Sequence, residues 1–184
     1  MQRLAIALAL ILTTASAFAA ETPEAVVKRQ LDAMHAGDWE KFTACMHPPA
    51  LKEFQTTVMD VVSKAPDSPT REQLMKSFFA DKSIAELQAV TPSVFFGMFM
   101  NGLAQTNPAI KQSMTNSEGQ VLGHVDEGPD KTHVLMRMTV ALADSKVVKM
   151  DVTSLQRDGD TWKALLKGDM QAIVVGLNKM LQAK

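Results

Sequence analysis

The sequence predicts an α+β domain in which N-terminal helices pack on a curved, mainly antiparallel C-terminal sheet, followed by a final C-terminal helix. Three observations carry this. Up to about residue 120, apolar residues recur at spacings of three and four, with Pro and Gly between the segments. From there to Leu166 the period is two, as in half-buried strands. After Gly168 the helical period returns in Ile173, Val174, Leu177 and Leu181. Helices first and antiparallel strands afterwards define the α+β class.

The opening MQRLAIALALILTTASAFAAETPE has Arg3, an apolar run from Leu4 to Leu12 and small residues at Ala17 and Ala19. This is the order of a secretory signal peptide, residues 1–19, cleaved after Ala19 or Ala20. The run is too short to span a bilayer, which takes roughly 20 apolar residues. Residues 20–184 are then expected as one exported domain, periplasmic if the host is a Gram-negative bacterium. No cysteine stands near the cleavage site to accept a lipid. Arg3 is the leader's only basic residue, so 18 Lys plus Arg face 20 Asp plus Glu in the remainder, a formal charge of −2. So even a balance offers no electrostatic footprint for nucleic acid.

Thr22 is placed to cap a first helix with Pro23 at its first position, where a missing N–H costs nothing. Val27, Leu31 and Met34 share one face of it. Gly37 suits its left-handed end and Asp38 the cap of the next helix, which carries Phe42, Cys45 and Met46 until Pro48 and Pro49 stop it. A third helix runs from about Pro49 to Lys64 with Leu51, Phe54, Val58 and Val61 inward. After the loop APDSP, two capping boxes are expected, Thr70 with Gln73 and Ser83 with Glu86. Thr91-Pro92 and Asn107-Pro108 open two more helices. The first of these is nearly all apolar through Phe95, Phe96, Met98, Phe99 and Met100.

In THVLMRMTVAL the residues Val134, Met136, Met138, Val140 and Leu142 take one strand face. The hairpin that follows has two registers to choose from. A two-residue turn at Asp158-Gly159 sets Trp162 beside Leu155 and Asp151. A three-residue loop, Arg157 to Gly159, pairs Ser154 with Trp162, Val152 with Ala164 and Met150 with Leu166. The second keeps one continuous apolar face and is preferred. Asp169 is placed to cap the last helix.

Two pieces of the chain, TPEAVVKRQLDAMHAGDWEKFTACMHPPALKEF and VTSLQRDGDTWKALL, resemble the nuclear transport factor 2-like superfamily. They match its opening helix pair with a Gly-Asp-Trp junction and its closing strands with a Trp after a tight turn. The resemblance implies a cone in which a curved sheet wraps around helices, and dimerisation through the outer sheet face, here Leu135, Leu155 and Leu165. Extra helices between Thr70 and Met114 and the final helix depart from the pattern. Enzymes of that superfamily, such as ketosteroid isomerases and dehydratases, place an acid, a His or a Tyr inside the cone. This chain has no tyrosine, and the expected inward strand positions hold no ionisable group. Without one there is no general base.

Cys45 is the chain's one cysteine, so no intrachain disulfide forms. Cys45 and His47 lie about 200° apart around a helix, which opposes a Cys–His pair, and a zinc site would need His35 to join them. A buried inert thiol is the stronger reading. Thirteen methionines invite a Cu(I) reading, with Met136 and Met138 on one strand face, but Met also fills irregular cores and apolar pockets. No cofactor, metal site or catalytic residue is therefore expected. The expectation is a binding domain for a small apolar ligand or a protein partner, with Phe95, Phe99, Met136, Met138 and Trp162 as ligand-binding residues. The alternative is an enzyme of isomerase, dehydratase or hydrolase type whose groups come from the helices.

Overall fold

The structure, a computed structural model, describes residues 21–142 and 145–182. The expected leader lies outside them, as do the side chains of Leu142 and Asp169. The described residues form α1 (Pro23–Ala36), α2 (Trp39–Ala44), α3 (Pro48–Lys64), α4 (Pro69–Phe79), α5 (Ile84–Ala89), α6 (Pro92–Thr106), α7 (Pro108–Asn116), β1 (Glu118–Asp126), β2 (Lys131–Leu142), β3 (Ser145–Asp158), β4 (Thr161–Ala164) and α8 (Gly168–Gln182). The strands make one antiparallel sheet in the order β1-β2-β3-β4. This is the expected α+β architecture, helices, then sheet, then a last helix. None of the described helices is long and apolar enough to cross a membrane.

Local chemistry starts and stops most helices. The hydroxyls of Thr22 and Thr91 accept from backbone N–H groups three residues on, each ahead of a Pro at the first helical position. Asn107 caps α7 in the same way, and Ser83 with Glu86 forms a complete capping box. Gly37 ends α1 in the left-handed region, φ 66°. One expected cap is corrected: α4 begins at Pro69, and its cap lies two residues before Thr70. Ser68 accepts from the Arg71 N–H at 3.2 Å, and Pro69, whose ring pre-sets a helical φ, takes the first position.

The β3–β4 register also differs from expectation. Neither proposed pairing occurs; instead Asp158 faces Thr161, Arg157 faces Trp162 and Leu155 faces Ala164 across a two-residue Gly159-Asp160 turn. Gly159 sits at the first central position with φ 60°, where a two-residue hairpin of this kind wants glycine. The inward residues of β3 are therefore Thr153 and Leu155, both buried, with Asp151 beside them. Met150 and Val152 point outward, 53% and 47% exposed. On β2 the expected face holds: Val134, Met136 and Met138 are buried. Of the three leucines expected on the outer face only Leu135 is there. Leu155 is fully buried, and Leu165 turns toward the interior beside Leu166.

Two packed clusters result. One joins α3, α4, α5, α6 and α8 around Phe54, Phe79, Phe95, Phe96 and Phe99. Gly102 allows α4 and α6 to close on each other, since a Cβ there would lie 2.4 Å from Phe78 Cα. The other sets Val26 and Val27 of α1, with Cys45, on Val134, Met136, Met138, Leu155 and Trp162 of the sheet. Here too the approach is close: a Cβ at Gly119 would meet Leu31 Cδ1 at 2.7 Å. The segment after α2 runs beside β4 in a parallel bridge. The His47 N–H donates to Ala164 O and the Ala164 N–H to Cys45 O, each at 2.8 Å. At the other edge, β1 is interrupted by a bulge between Val121 and Gly123.

Candidate functional site

Between α1, α2, α6 and the inner face of the sheet lies a cavity of about 210 Å³. Helical spacing sets its walls: Val27, Leu31 and Met34 come from one face of α1, and Phe96 and Met100 lie one turn apart on α6. Met46, Met114, Met136 and Met170 bring the lining methionines to six, with Phe42, Leu165 and Leu166 completing the apolar surface. Three polar side chains interrupt it, Gln30, Thr153 and Lys167. A dry apolar cavity of about 150 Å³ takes benzene, so this one has room for a single ring with a short substituent. It is smaller than the roughly 300–1,000 Å³ of sites for drug-sized ligands.

The inner sheet face is not free of ionisable groups, and that expectation is corrected. Asp151 lies opposite the buried Met136 and shares its strand face with the buried Thr153 and Leu155, so it is directed inward. Its Oδ2 accepts from Lys167 Nζ at 2.7 Å and its Oδ1 from the Val152 N–H at 2.9 Å. Burial pushes the Asp151 carboxyl up, but the Lys167 hydrogen bond and charge outweigh it and hold the group below its ordinary 3.8. Lys167 follows β4 and lines the cavity, so this ion pair stands at the cavity's edge.

The five residues expected to bind ligand are divided by the fold. Met136 lines the cavity. Met138 and Trp162 are buried in the same cluster but off the wall, with the Arg157 guanidinium 4.4 Å from the Trp162 ring centre. Phe95 and Phe99 point into the helical cluster, each 5.1 Å from a neighbouring ring, Phe79 and Phe54 respectively. On α6 it is the next position, Phe96 and Met100, that faces the cavity. Sequence reasoning missed Met34, Gln30 and Thr153. The stripe Val27, Leu31, Met34 was the available signal for the first; nothing in the alternation marks Thr153 except the true register of β3.

Cys45, His35 and His47 do not converge. Cys45 is fully buried, its Sγ accepting from Arg29 Nε at 3.3 Å. His35 Nε2 pairs with Ser117 Oγ at 3.2 Å, and His47 is the N-cap of α3. The other two histidines join elements at the surface. His124 Nδ1 bonds the Glu24 carboxylate and so ties the first turn of α1 to β1. His133 lies between Glu127 and Ser154.

No family model and no curated protein matches the chain. Among solved structures, it is similar to the crystal structure of an NTF-2-like protein of unknown function from Shewanella oneidensis MR-1. The two share 12% identity with a TM-score of 0.38, over 76% of this chain and 88% of that one.

Proposed function

We propose that this chain is an exported, non-catalytic binding domain, resident in the periplasm, whose cavity takes one small, largely apolar ligand. The observation that carries this is the lining: six thioethers and the hydrocarbon of α1, α2, α6 and the sheet line a space of about 210 Å³, with few polar groups among them. Methionine adapts its shape at low cost and suits a wall that must close on a guest. Export rests on the leader read from the sequence.

Among the described residues, binding is favoured over catalysis by the state of the carboxylate beside Lys167. Asp151 is engaged by Lys167 and its basicity is lowered, the wrong direction for a group that must take up a proton near neutral pH. The test is thermal unfolding of the chain without residues 1–19 in the presence of indole, ethylbenzene and benzyl alcohol. A ligand that binds only the folded state raises Tm with concentration, by about 2.7 kcal/mol of stability at a hundredfold excess over Kd. If none of the three shifts Tm, the cavity does not serve as a binding site.

A protein partner is a second element of the proposal, in the form of a second copy. Val148, Met150 and Val152 form an exposed outer row on β3, with Leu135 facing Val152 on β2. Such a row covers itself across a two-fold axis. Sedimentation of a dimer that Val152→Lys converts to monomer would support it; a wild-type monomer at high concentration would remove it.

A further inference from the structure

Six polar side chains are buried among the described residues: Gln30, Thr43, Gln55, Ser117, Thr132 and Thr153. Four are satisfied within the fold. Thr43 donates to Trp39 O and Thr132 to Val125 O. The Gln55 amide donates to Leu87 O and Val90 O, and Ser117 Oγ meets His35 and Met114 O. The remaining two differ. Thr153, 2% exposed, makes no side-chain hydrogen bond among the described residues. Gln30, 8% exposed, places its amide against the Met46 sulfur at 2.9 Å, a weak acceptor, and its carbonyl oxygen bonds no described residue. No side-chain N or O shut off from solvent lacks a partner among the described residues, so the free bonding capacity of these two opens onto accessible space, where a guest would meet it. Both line the same cavity, Thr153 from the sheet and Gln30 from α1.

Their chemistry narrows the partner. A threonine hydroxyl donates and accepts, and a carboxamide does both, yet neither carries charge. The one charged group on the wall among the described residues, Lys167, is already matched by Asp151 at 2.7 Å. A carboxylate guest would have to displace Asp151, and an ammonium guest would meet no unpaired anion among the described residues of the wall. We infer that the cavity selects a small neutral amphiphile, one ring or short alkyl body bearing a single hydroxyl or carbonyl, which Thr153 and Gln30 hold by hydrogen bonds. The inference rests on the proposed binding role of this cavity and names its ligand class.

An isosteric series tests it: ethylbenzene, benzyl alcohol and benzylammonium, with benzoate as the anion, titrated calorimetrically into the chain without residues 1–19. In an apolar cavity the hydroxyl would only add a desolvation cost. Benzyl alcohol binding at least as tightly as ethylbenzene, and tighter than either ion, is therefore the expected result. Thr153→Val, equal in shape, should weaken benzyl alcohol about tenfold, the size of one lost hydrogen bond, and leave ethylbenzene within about twofold. Gln30→Met gives the same ratio an independent reading if the valine variant does not fold. Tightest binding by benzoate, lost in Lys167→Met, would overturn the inference in favour of a charged head. An unchanged alcohol-to-hydrocarbon ratio in both variants would overturn it while leaving the cavity as an apolar site. Binding by none of the four would remove the proposed function itself.

Discussion

The aromatic cluster between α3, α4 and α6 and the methionine-lined space between α1 and the sheet meet along α6, where Phe96 belongs to both, yet they are built on different terms. In the first, Phe54 meets Phe95, Phe96 and Phe99 edge-on at 5.1 to 6.3 Å, and Gly102 removes the last side chain between α4 and α6. Rings in such geometry fill space and resist rearrangement. In the second, flexible thioethers surround an opening and two amides or hydroxyls keep unused bonding capacity. One side of α6 supplies stability and the other room. A single helix serves both because Phe95 and Phe99 project one way while Phe96 and Met100 project another.

The contrast can be broken by measurement, beginning with the largest effect. Phe99→Ala should cost about 3–5 kcal/mol in denaturant unfolding, since its ring neighbours on α3 and α4 cannot collapse into the void. Next, Leu155→Ala should cost about 2–5 kcal/mol while Val152→Ala, on the exposed face, stays within about 1 kcal/mol. Equal costs would mean the β3 register is wrong. Met100→Leu should cost under about 1.5 kcal/mol, because an adaptable wall absorbs a volume-conserving swap. A cost like that of Phe99→Ala would erase the distinction between the two sides.

The smallest effect is one of pH, at the α1–β1 seam. The Glu24 hydrogen bond raises the His124 proton affinity above its ordinary 6.5, against desolvation and with help from the Glu24 and Asp126 charges. That contribution is complete below 6.5 and fades as pH rises through the folded-state value. Glu24, lowered from 4.5 chiefly by the same bond, contributes fully above 4.5 and loses its part as pH falls through its own folded value. Stability should therefore be highest between those limits, and His124→Gln should flatten the alkaline side of the Tm profile. An unchanged profile would mean that the His124–Glu24 bond adds nothing to stability.

Much of the fold was legible because its signals are local. Thr22-Pro23, Thr91-Pro92 and Asn107-Pro108 state where helices begin, and the alternation of β2 states which side is dry. The β3–β4 register was not. Its apolar face, Val148, Met150 and Val152, is the wet one, and its dry face admits Asp151 because Lys167 is there to meet it. Matching apolar faces therefore chose wrongly, and Asp158-Gly159-Asp160 offers its glycine to two different two-residue turns, so turn chemistry alone did not decide the register either. The cavity was illegible for a different reason. Its wall is assembled from residues far apart in the chain, and whether Phe95 or Phe96 faces it depends on how α6 is rotated against two neighbours at once.

The bridge between Met46 and Ala164 has a consequence for the behaviour of the protein among its own copies. By occupying the outer flank of β4, the stretch from Cys45 to His47 leaves little of that strand's backbone for a foreign strand to bond. On the far flank the kink at Leu122 breaks any long continuous pairing with β1. Among the described residues, folded copies at high concentration thus meet no long straight ribbon of free amides at either edge of the sheet.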